Sequence, residues 1–122
     1  LEALKEYSFY LDRFPSMVVG DFNCHIGQSG VRKSTGTFED CIAEMECHGL
    51  RSLYHEQTNE KFGEEKTPTF FWQFNQEKPF FLDYAFCTMK PISFKIGDWE
   101  REISDHRPLI IELEEEPWDD RP

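Results

Sequence analysis

The stretch Ser16-Met17-Val18-Val19, closed by Gly20-Asp21, constrains the fold more than any other part of the chain. A short run with two β-branched residues and no polar alternation has the pattern of a strand covered on both faces. The residues around it say what does the covering. Ahead of it, Leu1, Leu4, Leu11 and Phe14 recur at the spacing of an amphipathic helix that ends before Pro15. After it, a polar, glycine-bearing loop occupies roughly residues 24–36. Thr37 and Asp40 then have the form of a capping box, with Phe38, Ile42 and Met45 following at helical spacing. That helix is expected to stop near His48, with Gly49 in the left-handed position beyond it.

Further on, residues 50–54 read as a return segment packed on the core and residues 56–66 as a polar surface loop. Residues 69–74 and 80–88 read as two strands of a hairpin, with a turn at 75–79. Residues 92–96 alternate like a half-buried strand, residues 108–113 close the pattern, and an acidic, solvated tail begins about Glu114. The order is helix, strand, helix, then three or four strands. The expected class is α/β (α+β), a sheet covered by helices on at least one side.

Bulk properties bound the function. A chain of 122 residues forms at most one domain. Twelve phenylalanines promise bulky aromatic packing. A formal charge of −11 argues against a whole-molecule basic footprint for nucleic acid. It does not argue against a phosphate substrate, whose charge a divalent metal holds locally. Cys24, Cys41, Cys47 and Cys87 show no regular spacing and read as reduced, buried thiols, pointing to a cytoplasmic location. No apolar run approaches membrane-spanning length and no signal peptide is expected.

Three acidic stretches carry chemistry. Asp21, at the carboxyl end of the first strand, lies where open α/β sheets place ligands. It can take a proton or orient a water, and Asn23 offers an amide donor; the same two residues also suit a simple Asx-turn. Asp83 is the single charge within the apolar segment 80–87, so it needs a cationic or hydrogen-bonding neighbour, and a histidine is a natural one. Asp105 and His106, in Ser104-Asp105-His106-Arg107-Pro108, sit at the mouth of the last strand. On an extended chain they point to opposite sides, which gives them different jobs.

Together, Gly-Asp-Phe-Asn after a strand, Leu-Asp-Tyr within a strand and Ser-Asp-His-Arg-Pro before a final strand resemble the endonuclease/exonuclease/phosphatase superfamily. The resemblance covers residues 1–114, in the order of the carboxyl-terminal half of that domain, and leaves 115–122 as the tail. It implies half of a four-layered α/β sandwich, with mostly antiparallel sheet covered by helices. It also implies metal-dependent phosphodiesterase or phosphatase chemistry on a phosphate ester, nucleic acid included. Asp21 would activate the attacking water, Asn23 would hold a phosphate oxygen, Asp83 would bond His106, and His106 would stabilise the phosphoryl group. Asp105 would contribute to a site for Mg²⁺ or Mn²⁺.

The family's earlier half supplies the principal metal-binding glutamate and an asparagine, and nothing before Asp21 matches them; Glu2 and Glu6 lie on the expected first helix. Metal binding by this chain alone is therefore expected to be weak or absent, and turnover with it. A second copy or a partner would then cover the face that the other half covers in the family. The competing reading is a non-catalytic interaction module of the same fold. A zinc site built from Cys24-His25, Cys47-His48 and His55 lacks the usual ligand spacing. The aromatic run Phe70-Phe71-Trp72, with Phe74, has no interleaved basic residues, so core packing is expected there rather than base stacking.

Overall fold

The computed structural model describes residues 1–24 and 36–114. Most of the polar loop and the acidic tail from residue 115 lie outside that range. The fold is mixed α/β, with antiparallel pairing in every named sheet among the described residues.

The first helical stretch is two short helices, α1 (Glu2–Glu6) and α2 (Ser8–Arg13), joined at Tyr7 where the backbone leaves helical values. Only Leu11 of the pair is buried. Strand β1 (Met17–Asp21) follows. Its two faces are not equally covered: Val19 remains 44% exposed, which corrects the expectation of a strand buried on both sides. Helix α3 (Phe38–Cys47) begins with the expected capping box, in which Thr37 Oγ1 accepts from Asp40 N and the Asp40 carboxylate accepts from Thr37 N. It ends at His48, and Gly49 takes φ 80°. The short strand β2 (Arg51–Ser52) then leads directly into helix α4 (Leu53–Thr58). The sequence reading has no helix there. Its first turn carries Leu53, Tyr54 and His55, all buried, so packing rather than a polar–apolar stripe specifies it.

The long hairpin splits into two pairings. Strand β3 (Phe70–Phe71) pairs with β4 (Pro79–Phe80) and not with β5. Residues of β5 (Asp83–Cys87) instead lie between β1 and β2, with Gly20 opposite Tyr84 and Asp21 opposite Asp83. β5 is buried along its whole length. The last pair is β6 (Ser93–Ile96) with β7 (Leu109–Glu112).

The core joins α3 and α4 to β5. Phe38, Ile42, Met45, Leu53 and Tyr54 pack with Tyr84 and Phe86. Phe38 and Tyr84 rings stand 4.8 Å apart, and Phe22, Phe62 and Phe86 add tilted and stacked contacts. The stretch expected as a surface loop contributes to this core, because Phe62 stacks on His55 at 3.7 Å and His55 Nε2 meets the buried Glu65 carboxylate at 2.7 Å. All four cysteines are free. Among the described residues no helix is long and apolar enough to cross a membrane.

His48 joins the amino-terminal helices to α3. Its Nδ1 bonds Asp12 of α2 and its Nε2 meets Glu44 of α3 at 3.1 Å. Both ring nitrogens serve carboxylates, and these, Asp12 above all, hold the imidazole pKa above its ordinary 6.5. An imidazole with a raised folded-state pKa adds stability that is full below the unfolded value and disappears as pH rises through the folded one. Denaturant midpoints measured across that window are expected to fall with rising pH in the native chain and to stay flatter in His48→Gln. Parallel curves for the two proteins would refute this.

Candidate functional site

Asp21 and Asp83 meet because β1 and β5 align antiparallel in a register that sets them directly opposite. Gly20, at φ 151°, gives β1 a conformation that residues with a Cβ rarely adopt just before Asp21. Beyond it the chain turns at once. Asn23 N–H donates to Asp21 Oδ1 at 2.8 Å, and Asn23 sits at φ 51°, a left-handed value that asparagine tolerates. The Asx-turn is therefore formed, and it leaves Asp21 Oδ2 directed elsewhere. Asn23 is exposed.

His106 is brought to these acids from the far end of the chain. Its backbone forms a bridge with Phe70, and Phe71 N–H donates to Asp105 C=O at 2.9 Å. Arg107 N–H donates to Thr69 C=O at 2.7 Å, and the Phe70 ring lies 4.7 Å from the imidazole. Within the motif, His106 N–H donates to Ser104 Oγ at 3.0 Å, while Ser104 C=O accepts from the indole of Trp99 at 2.8 Å. That indole stacks on Phe71 at 4.0 Å.

The imidazole then stands among three carboxylates. Nδ1 lies 2.8 Å from Asp83 Oδ2, Nε2 lies 3.5 Å from Asp21 Oδ2, and Nε2 lies 3.9 Å from Asp105 Oδ1. Asp83 is buried. Burial raises its carboxyl pKa, and the bond from His106 opposes that rise. A raised carboxyl pKa is a cost to the fold at neutral pH, since the charged form is the one burial disfavours.

Asp105 and His106 do not point to opposite sides as expected. The backbone bends at Asp105 instead of running extended, and the Asp105 carboxylate turns to within 3.9 Å of His106 Nε2 while staying outside the close group of Asp21, Asp83 and His106. The aromatic run also departs from expectation. Phe71 is buried and Phe70 half-buried, but Trp72 is 50% and Phe74 40% exposed. Gln73 and Phe74 take positive φ of 53° and 57°, which ends the strand and its alternation. Beside His106 opens a cleft of about 340 Å³ lined by Glu100, Ile103, Ser104, His106, Arg107 and Pro108.

One residue of the site escaped sequence reasoning. Thr69 is fully buried, and its Oγ1 accepts from Leu82 N–H at 3.0 Å and from Asp83 N–H at 3.2 Å. Nothing local marks it, because its partners lie 13 and 14 residues away. Among the described residues the cysteine–histidine pairs form no comparable centre. Cys47 is exposed, His48 and His55 are engaged by carboxylates, and His25 lies outside the described residues. Asp21, Asp83 and His106 are the one group found among the described residues whose ligand atoms all lie within 4.8 Å of one another. No family model, curated protein or solved structure matches the chain.

Proposed function

We propose that this chain carries one wall of a metal-assisted phosphoric-ester hydrolase site, the carboxyl-terminal half of an endonuclease/exonuclease/phosphatase-type domain. The observation that supports it best is the 3.5 Å approach of His106 Nε2 to Asp21 Oδ2 while Nδ1 is engaged by Asp83. With Nδ1–H given to Asp83, a neutral ring offers Nε2 as an acceptor, facing another acceptor. The arrangement is favourable only with a proton between them, carried by the ring itself or by a bound hydroxylic group.

That is what hydrolysis of a phosphoric ester requires. Asp21 orients and deprotonates the attacking water, and Asn23 donates its amide to a non-bridging oxygen. When protonated on both nitrogens, His106 presents Nε2–H to the phosphoryl oxygen that gains charge. Asp83 keeps the ring oriented.

The donor set fits a hard divalent cation in part. Asp21 belongs to the close group with Asp83 and His106, whereas Asp105, the residue expected to hold the ion, lies outside it at 3.9 Å from His106 Nε2. Asp105 would hold Mg²⁺ or Mn²⁺, and the bound ion would offset charge on the phosphoryl group. Two carboxylates alone hold such an ion weakly, so the proposal includes a second copy or a partner that supplies further ligands. Val19, Ile92, Ile110 and Leu113, each at least 41% exposed, are apolar side chains that such a partner would cover.

The test is hydrolysis of bis(p-nitrophenyl) phosphate by the chain alone and mixed with the amino-terminal half of a complete member of the family. Turnover is expected in the mixture only, dependent on Mg²⁺ or Mn²⁺ and abolished by EDTA. A mixture that stays silent in both metals overturns the proposal and leaves the non-catalytic module.

A further inference from the structure

We infer that the cleft beside His106 receives the organic part of the substrate, an uncharged aromatic or branched aliphatic group on the phosphate ester, and that Ile103 selects it. The inference names the substrate class of the site proposed above and rests on that reading. His106 belongs both to the close group with Asp21 and Asp83 and to the wall of this cleft. A phosphoryl group held at the imidazole therefore has the cleft beside it for its ester substituent. At about 340 Å³ the cleft is larger than the roughly 150 Å³ that admits benzene in a protein interior.

The apolar wall is held in place by the fold. Residues 100–104 form a turn in which Ile103 N–H and Ser104 N–H both donate to Glu100 C=O, at 2.9 and 3.1 Å. Two further bonds fasten that turn. The Trp99 indole donates to Ser104 C=O at 2.8 Å, and Arg101 Nε donates to Phe74 C=O at 3.0 Å. Pro108 is seated as firmly, since Gly97 N–H donates to Pro108 C=O at 2.7 Å. A Cβ added at Gly97 would come within 2.7 Å of Pro108 Cγ, so only glycine lets the proline ring pack there. Ile103 nevertheless stays 76% exposed. A lone exposed isoleucine is ordinary on a surface, but one fixed in a cleft with the site's histidine offers apolar area for a ligand to cover.

Charge decides what the cleft refuses. Arg107 is the only permanent cation among the described residues that line it, and its guanidinium is already engaged. Nε donates to Gly97 C=O at 2.7 Å and Nη2 to Ile96 C=O at 3.4 Å. Glu100 also lines the cleft, and the carboxylates of Asp21, Asp83 and Asp105 surround the imidazole next to it. A second phosphate placed there meets like charge, which discriminates against pyrophosphate and other polyanionic substituents. Ile103 and Pro108 favour an uncharged group instead.

The experiment is an NMR titration of the metal-free chain with benzyl alcohol and, separately, with pyrophosphate, following the Ile103 methyls and the Ser104 amide. Benzyl alcohol is expected to shift both signals saturably, and pyrophosphate at the same concentrations to leave them in place. Ile103→Ser, followed at the Ser104 amide, is expected to bind benzyl alcohol at least about tenfold more weakly, the scale for removing apolar contact from a pocket. Its side chain is too exposed for the change to unfold the chain. No saturable shift with benzyl alcohol, unchanged affinity in Ile103→Ser, or a pyrophosphate shift as large as that of benzyl alcohol overturns the inference. The titration needs no metal, partner or turnover. A reconstituted mixture that stays silent would thus overturn the hydrolase reading while ring binding still decides this one.

Discussion

In the reconstituted, metal-loaded mixture, His106→Ala is expected to lower turnover by about 10²- to 10⁴-fold, the range for loss of a positioned acid–base group. The side chain is 28% exposed at the rim of the site, so its removal leaves the aromatic core intact. What it leaves behind is Asp83, buried and deprived of its ring partner. Burial already raises that carboxyl's pKa, and losing the imidazole removes the strongest opposing bond. Asp83→Asn separates the two effects, because it keeps the shape, removes the buried charge and offers Nδ1 an amide in place of a carboxylate. A comparable fall in kcat is expected, with KM little changed, since the ring then loses its fixed tautomer. A His106→Ala protein that turns over at the native rate would remove the imidazole from the mechanism altogether.

Phe86→Ala is expected to destabilise the chain by about 3–5 kcal/mol, the usual cost of emptying a phenylalanine site in a core. Phe86 is fully buried on the central strand β5, paired with Val18 of β1 and Ser52 of β2. Its ring stacks with Phe22 at 5.9 Å, with Tyr84 at 6.1 Å and with Phe62 at 6.2 Å. Domains of this kind are stable by roughly 5–15 kcal/mol in total, and the variant would keep only a fraction of that. Ile103→Ser is the control: Ile103 is 76% exposed, and its change belongs within about 0.5 kcal/mol of native. Urea denaturation of the three proteins checks both values, and a Phe86→Ala loss below about 1 kcal/mol would mean that β5 is not the centre of the core.

The raised carboxyl of Asp83 and the Phe86 core are two consequences of one element. β5 is buried at every position, so it packs the core and also carries a carboxylate that water cannot stabilise. A charge placed there needs a partner, and His106 is that partner, while Thr69 Oγ1 accepts from the Asp83 backbone N–H. Structural tightness and site geometry share a strand, which is a common arrangement where local strain serves chemistry.

Local signals in the chain were enough for some of this. Thr37 with Asp40 specifies the start of α3, and Gly49 its end, because capping and left-handed closure involve residues three or four apart. The apolar run 17–19 and the alternation at 92–96 specify strands for the same reason. Asp21, Asp83 and His106 stood out as charges or bases at the edges of apolar runs, and Asp83 was legible as a buried carboxylate in need of a histidine. Tertiary contacts decided the rest. β5 lies between β1 and β2 instead of extending the hairpin, because its five buried residues need cover that the two-residue strands β3 and β4 do not supply. Helix α4 spans the end of the segment read as packed on the core and the start of the one read as surface loop, and Glu65 of that loop is buried against His55, since burying such polar groups is tolerable only once each has the other. Asp105 and His106 converge only because the backbone bends between Ser104 and Arg107, and Thr69 joins the site only through partners 13 and 14 residues distant. Residue types and short spacings determined which groups could do chemistry in this chain; long-range packing alone determined which of them meet.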